Sequence, residues 1–558
     1  MHRREFLQAL ALASMSGTLA AAGVPADTLP LYRLAERKRP ASLIHLTDCH
    51  AQLLPIHHRE PSINIGVGSS AGSPAHLTGE ALLRAYGLRR GSRLAHAFTH
   101  LDFQELARRY GKMGGFAHLA TLVKLIQAQR PGALLVDGGD SWQGSATALW
   151  TRGADMVAAS KLLGVTVMTG HWEFTLGAAR VMELIQRDMK GSIDFIAHNV
   201  YTRDFGDRVF SPYVIKEIAG MEVAIVGQAY PYTPIANPQH LIPDWTFGIH
   251  EQSLRDTVAE LRRQGVAAIV LLSHNGVDVD LKLAGRIDGL TAILGGHTHD
   301  PLPQAIRIKN GGGETLVANA GSNGKFIGVL DIFTRHGKIG CHYSLMPVFS
   351  NLLEPDSEMS NLIDEIRQPF EKSLGQVLAV TDDLLYRRGN FNGSFDEIIL
   401  DALQQSQDAE IALSPGFRWG TTLLPGSSIT VEDVMAQTAI TYPGITLRNL
   451  TGAEIKDALE DIADNLFHPD PYYRQGGDMV RTRGLSFTFA PSGATGRRIT
   501  DLRVKGQLLE ATKRYRVAAW APVAQIDIPG VPVWEPIQDY LRSRKIIRIE
   551  SVNTPQLL

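Results

Sequence analysis

A two-part α/β fold is predicted by three features of this 558-residue chain. First, from Ala41 onward, apolar runs about as long as a buried strand recur: "SLIHLTD", "GALLVDGGD", "GVTVMTGHWE", "SIDFIAHNV", "VAIVGQ", "AAIVLLSHNG" and "LTAILGGHTH". Each carries Gly, Asp, Asn or His at or near its end. Second, amphipathic stretches such as "GGFAHLATLVKLIQAQR" and "QSLRDTVAELRRQG" lie between them. Third, composition shifts after Val348, where the polar linker and helix "SNLLEPDSEMSNLIDEIRQPFEKSLGQVL" lead into a second α/β pattern beginning "GSFDEIILDALQQSQDAEIALS". Strands alternating with helices imply a layered domain. Polar residues gather just past strand C-termini, where open α/β sheets build their sites.

The elements fall into four spans. Residues 1–26 read as an export signal: Arg3 and Arg4 precede Phe6 and Leu7, then a modest apolar run, then small residues ending near Ala20 to Ala26. This is the twin-arginine pattern, which implies export of a folded protein to the periplasm. That route suits an enzyme whose metal is chosen in the cytoplasm, away from competing zinc and copper. Residues 40–348 form the first α/β domain, 349–378 a linker and helix, and 379–558 the second domain. Within the first, about 53–112 breaks the pattern with "HHREPSINIGVGSSAGSPAHLTG". A loop that long in a compact domain is usually functional or disordered; because it follows a pair of candidate ligands, it is read as an insertion covering the site rather than as a disordered loop.

Composition excludes several classes. With 55 Lys+Arg against 57 Asp+Glu there is no basic footprint for nucleic acid. No run after the leader approaches the ~20 apolar residues of a membrane span. Two cysteines, Cys49 and Cys341, make no disulfide framework, and Cys49 is expected to be buried and inert.

Five strand ends carry seven candidate metal ligands. "LTDCH" supplies Asp48 and His50, "DGGD" Asp140, "GHWE" His171, "LLSHNG" His274, and "GGHTH" His297 and His299. The pairs two residues apart are expected to point one way from an extended chain. Mixed carboxylate and imidazole ligands suit Mn, Fe or Zn. Seven exceed the three or four of one catalytic zinc and fit two metals about 3.5–4 Å apart, with Asp140 as the bridging carboxylate. A lone histidine at a strand end is more often a satisfied polar group, and His57, His58, His118, His198 and His342 keep that reading.

D-x-H, G-G-D, G-H-x-E, S-H-N-G and G-H-x-H in this order resemble the calcineurin-like metallophosphoesterases, and "DAEIALSPGFRWG", "TYPGITLRNLTGAEIKDALE", "GLSFTFAP" and "YRVAAW" resemble the C-terminal domain of 5′-nucleotidases. The resemblance implies a layered sandwich with helices outside, followed by a nucleotidase-like α/β domain. Further stretches, "LTDCHAQLLP", "REPSINIGVG", "HAFTHLDFQELARRYGKMGGFAHLATLVK", "DGGDSWQGSATALW" and "GHWEFT", are similar to the SoxB family of dimanganese thiosulfohydrolases. That family implies two Mn2+, with Zn or Fe compatible with the same ligands. It also implies a partner, the sulfur carrier SoxYZ, from whose cysteine-bound adduct a terminal sulfonate is hydrolysed as sulfate by a metal-bridging hydroxide.

Carried over by motif, one metal takes Asp48, His50, Asp140 and His299, and the other Asp140, His171, His274 and His297. Nucleotidases have Asn and His where this chain has His171 and Trp172, so Trp172 replaces their substrate-facing histidine. The alternative role for Trp172 is core packing. Glu173 is expected to hydrogen-bond a ligand histidine. Arg418, Trp419 and Tyr442 are expected to face the substrate; Arg448, Arg474, Arg481 and Arg483 are weaker anion-binding candidates. The competing readings are a periplasmic 5′-nucleotidase or phosphodiesterase, and a non-enzymatic carrier-binding member of the same system.

Overall fold

The computed structural model describes residues 29–523 and 530–558, so the expected export signal lies outside the described residues. Twelve strands of the first half are labelled here: β1 (Ala41–Leu46), β2 (Leu134–Asp137), β3 (Val165–Met168), β4 (Asp194–Phe195), β5 (Tyr213–Ile218), β6 (Met221–Gln228), β7 (Ala268–Ser273), β8 (Ala292–Gly295), β9 (Ile306–Asn310), β10 (Gly313–Asn319), β11 (Phe326–Arg335) and β12 (Lys338–Pro347). They make two six-stranded sheets, ordered β12-β11-β1-β2-β3-β4 and β9-β10-β8-β7-β6-β5. Strands β1 to β4, and β6, β7, β8 and β10, run parallel; antiparallel strands β12, β9 and β5 finish three of the four edges, and parallel β4 the fourth.

Side chains explain why these runs are strands. β1 and β7 are buried along their whole length, the mark of strands covered on both faces. Along β7, Ala268, Val270 and Leu272 turn toward the opposite sheet, while Ile269 and Leu271 turn outward to helices Glu251–Arg263 and Val277–Arg286. Leu43 likewise faces the inter-sheet core, and Ile44 and Leu46 face helices Phe116–Gln129 and Ala154–Leu163. The layers are therefore helix, sheet, sheet, helix, with the parallel strands of both sheets ending near one another. Helix Ser357–Arg367 of the linker region lays Met359 and Ile363 on the same outer core as Phe116–Gln129.

Beyond it, strands Ile445–Thr451, Arg514–Trp520, Ile411–Ser414 and Arg481–Arg483 form a four-stranded sheet in that order, against which helix Ser394–Ser406 packs. Thr430 and Thr451 start the next two helices with reciprocal capping boxes. Trp172 and Ala146 of the first half are buried in this second core. Among the described residues, no helix is long and apolar enough to cross a membrane.

The 53–112 segment departs from the expectation of a cover. It is folded, with helices Gly79–Tyr86, Arg93–Phe98 and Phe103–Tyr110, and supplies no residue to the lining of the cleft at the metal-ligand candidates. It is a strap whose polar groups are satisfied by the second half. Thr422 N donates to His57 O at 2.8 Å, Ile65 N to Asn390 Oδ1 at 2.7 Å, and Arg474 to Val67 O at 2.9 Å. Its Glu60 forms a buried ion pair with Lys325.

Candidate metal centre

All seven predicted ligands meet at the C-terminal ends of β1, β2, β3, β7 and β8. They fall into two groups, Asp48, His50, Asp140 and His299, and Asp140, His171, His274 and His297; within each, the ligand atoms lie within 4.8 Å of one another. Asp140 belongs to both. Its Oδ2 is 3.1 Å from His171 Nδ1, 3.0 Å from His274 Nε2 and 3.8 Å from His50 Nε2. Asp48 Oδ1 stands 3.3 Å from His299 Nε2 and 3.7 Å from His274 Nε2.

Convergence does not come from the extended pairs expected. Asp48, His50, Asp140, His297 and His299 have φ of 52°, 45°, 59°, 73° and 61°, all left-handed. For a residue with a Cβ this costs about 1–3 kcal/mol each and persists only where surroundings enforce it. Here backbone bonds between loops do so: Asp48 N to Gly139 O, His50 N to Asp140 O and Asn323 N to Asp48 O, at 2.8, 2.8 and 2.7 Å. The pairs converge because each turns back on itself, so the alternation rule reached the right pairing by the wrong geometry. Close approach also fixes glycines: a Cβ on Gly296 would lie 2.8 Å from Asp48 Oδ2 and 2.4 Å from Thr47 Oγ1.

Protonation follows from the outward-facing nitrogens. His274 Nδ1 lies 2.6 Å from Gly138 O, His297 Nε2 is 2.8 Å from Gln475 O, and His50 Nδ1 is 3.3 Å from both Gln143 O and Oε1. A carbonyl oxygen only accepts, so these nitrogens carry hydrogens; the inward nitrogens of His50 and His297 are left with lone pairs, while the inward Nε2 of His274 carries a second hydrogen toward Asp140 Oδ2 at 3.0 Å. His50 Nε2 and His299 Nε2 face each other at 3.0 Å. Burial pushes His50, His297 and His299 below the ordinary imidazole range and His171 to about 4, keeping them neutral. Burial also opposes charge on His274, but Asp140 and Asp48 overcome it and hold it up at about 10. Burial disfavours the Asp140 carboxylate, yet His171 and His274 hold it well below its usual range. Burial raises Asp48 to about 7 against the pull of His274.

Glu173 hydrogen-bonds a ligand histidine as expected, at the backbone of His171 rather than at a ring. It is fully buried and touches no histidine ring; its carboxylate accepts from the backbone N–H groups of Ser141 and His171 at 2.7 Å, Trp142 at 3.2 Å and Asp140 at 3.3 Å. A carboxylate on a tight turn reaches the nearest orphan amides before any ring. It ties the β2 and β3 loops together, outside the reach of substrate.

A cleft of about 520 Å³ opens over the ligands. One wall is aromatic. Trp172, 7% exposed, meets Trp419 at 4.9 Å and Phe417 at 5.2 Å edge to face, and stacks with Tyr442 at 6.3 Å. Its backbone N–H donates to Asp140 Oδ1 at 2.8 Å, so the residue serves both ligand loop and wall, and its core-packing and cleft-lining roles coexist. Trp419 stacks on His50 at 5.5 Å, and Tyr442 Oη donates to Asn237 at 3.2 Å. Arg418 is the one arginine among the lining residues: Nη2 donates to Gly477 O at 2.6 Å, and buried Nη1 has no partner among the described residues. The other arginines do not gather here. Arg448 is exposed, Arg474 pairs with Asp278, Arg481 with Asp478, and Arg483 with Glu397. Cys49 is buried beside the ligands with its thiol pushed up by burial.

Sequence reasoning missed Tyr230, whose ring lies 3.9 Å from His171 and 4.3 Å from His297, and the loop Gln475–Gly477. The Gly-Gly pair was the available signal for a close backbone approach.

Residues 377–525 match the family described as 5′-nucleotidase, C-terminal domain. Rat 5′-nucleotidase is 26% identical over 299 residues, half of this chain and 51% of that protein. The chain thus spans about half the length of this relative, and 21% of the Bacillus subtilis trifunctional nucleotide phosphoesterase. A Naja atra venom 5′-nucleotidase is 23% identical across 73% of this chain and 83% of its own. Among solved structures, a Thermus thermophilus sulfate thiohydrolase, SoxB, in complex with glycerol superposes with a TM-score of 0.89 at 36% identity, over 94% of this chain and 98% of that one. A 5′-nucleotidase precursor, also from Thermus thermophilus, gives 0.72 at 22% identity, over 93% and 99%, a likeness of fold.

Proposed function

The chain belongs to the SoxB family, and from that premise we propose that it is a metal-dependent thiosulfohydrolase acting on a cysteine-bound sulfur adduct of the carrier SoxYZ. Hydrolysis of the terminal sulfonate would release sulfate and leave a persulfide on the carrier.

The donor set fits two divalent cations. Inward lone pairs on His50 and His297 meet two buried carboxylates, and the proton that Asp140 and Asp48 hold on His274 is one a divalent cation would displace; the set matches the mixed N,O preference of Mn, Zn or Fe. Asp48, His50, Asp140 and His299 would hold one ion, and Asp140, His171, His274 and His297 the other. Two such cations supply Lewis acidity toward an oxyanion and acidify bound water. Manganese is the family's metal and our assignment.

The observation carrying the substrate reading is the aromatic wall at Trp172. A phosphate monoester departs as an alkoxide, a strong base that benefits from a proton donor worth about 10²–10⁴ in rate. A sulfonate on a sulfur chain departs as a persulfide, a far weaker base. Trp172, Phe417 and Trp419 offer no such acid, but they shape an apolar face on which polarisable sulfur packs well. Arg418, with its free Nη1, would orient one sulfonate oxygen. Glu173 and Gln143 hold the ligand loops and ring orientations.

We place the protein in the periplasm, exported folded by the twin-arginine route. The nucleotidase relatives favour the second reading, phosphoester hydrolysis. Sulfate release from thiosulfonate-loaded SoxYZ, run beside phosphate release from a 5′-nucleotide, separates the two.

A further inference from the structure

Among the described residues, the second half of the chain hydrogen-bonds one ligand histidine, besides stacking Trp419 on His50. Gln475 O accepts from His297 Nε2 at 2.8 Å and from the Tyr230 hydroxyl at 2.6 Å. The Tyr230 ring meanwhile covers His171 and His297. Gly476 makes the approach possible: its φ is +72°, and a Cβ there would lie 2.5 Å from His297 Nε2. The loop is anchored from behind, since Gln475 N donates to Asn465 O at 2.9 Å on helix Gly452–Leu466, and Gly477 O receives Arg418. His171 and His297 belong to one group of four ligands; the other group shares only Asp140 with it.

We propose that the 475–477 loop is a positioning element for one of the two metals. By accepting the Nε2 hydrogen it leaves Nδ1 of His297 free to ligate, so filling the position made by His171, His274 and His297 is coupled to seating of the C-terminal half on the layered half. Coupling is reciprocal: loss of that metal loosens the loop, and displacement of the loop releases that metal first. This inference rests on the dinuclear reading above.

The test uses the full-length chain loaded with Mn2+, then challenged with a graded chelator, with metal per chain counted by elemental analysis. Wild type should hold two equivalents. Gly476→Ala should surrender one of them at about 10–100-fold lower chelator strength, the range for loss of a partner behind a ligand histidine, and keep the other. Tyr230→Phe, which retains the ring and removes only the hydroxyl, should shift the same equivalent in the same direction by less, and it covers the case in which the alanine variant fails to fold. Hydrogen exchange at 475–477 in wild type should quicken once the weaker equivalent is removed. If wild type binds two metals and Tyr230→Phe and any folded Gly476→Ala release both as wild type does, the coupling is overturned while the dinuclear reading stands. A wild type that never takes up a second equivalent overturns both.

Discussion

Replacing Glu173 with glutamine should unfold the metal-ligand loops at modest cost in side-chain volume. The carboxylate accepts four backbone N–H groups, two on each oxygen: Ser141 and Trp142 on Oε1, His171 and Asp140 on Oε2. Glutamine keeps one accepting oxygen and presents an NH2 in place of the other, so two buried donors face a donor. Each buried donor left without an acceptor costs about 1–3 kcal/mol, roughly 2–6 kcal/mol for the pair. That is a large share of the ~5–15 kcal/mol by which domains are stable. Because two of the four amides belong to Asp140 and His171, metal capacity should fall with stability. Denaturant unfolding of metal-free protein reads the first effect, and metal content of the folded fraction the second. A Glu173→Gln protein within about 0.5 kcal/mol of wild type, the usual range for neutral surface changes, and with two metals per chain, would refute the assignment of this carboxylate as the tie between the loops.

Asp140→Ala should abolish binding of both metals, whereas His299→Ala should remove one, as counted per chain. Trp172→His should slow sulfate release and raise phosphate release from a 5′-nucleotide, with both products followed in one assay. Lys325→Met should leave the Glu60 carboxylate buried and unpaired, costing about 3–5 kcal/mol and exposing residues 53–112 to limited proteolysis. The strap should also respond to pH in two directions. Burial opposes ionisation of Glu60, but Lys325 and His58 hold it below the usual range, so its stabilisation is present above the ordinary glutamate value of about 4.3 and is lost as pH falls through the lowered one. Burial lowers His76, but Asp278 raises it further, so that contribution is full below about 6.5 and is lost as pH rises through the raised value. Cleavage within the strap should therefore be slowest between the two.

The layered fold and the ligand set were legible because both are local signals. Strands buried on two faces read as unbroken apolar runs, and each run here stops at a polar residue that the parallel sheet carries to one edge. The order of five short motifs then identified the loops. What escaped was contact between distant segments. Nothing near Tyr230 marks it as covering two histidines, and nothing in the 53–112 composition distinguishes a cover from a strap, because the distinction lies in partners such as Asn390 and Thr422. Glu173 meets ligand His171 at the backbone rather than the ring for a related reason: the helical turn at Trp172–Leu176 folds its carboxylate toward amides. The left-handed turns at Asp48 and His297 follow from interlocked loops rather than from either residue's own preference.

We propose that the Trp172 wall turns a nucleotidase-like centre toward sulfur. Manganese-reconstituted protein should be given thiosulfonate-loaded SoxYZ and, separately, a 5′-nucleotide, with sulfate and phosphate measured. Metal-dependent sulfate is expected, with no phosphate above the metal-free background. Phosphate without sulfate would contradict it, and would make His171 and Trp172 variations that a phosphoesterase tolerates.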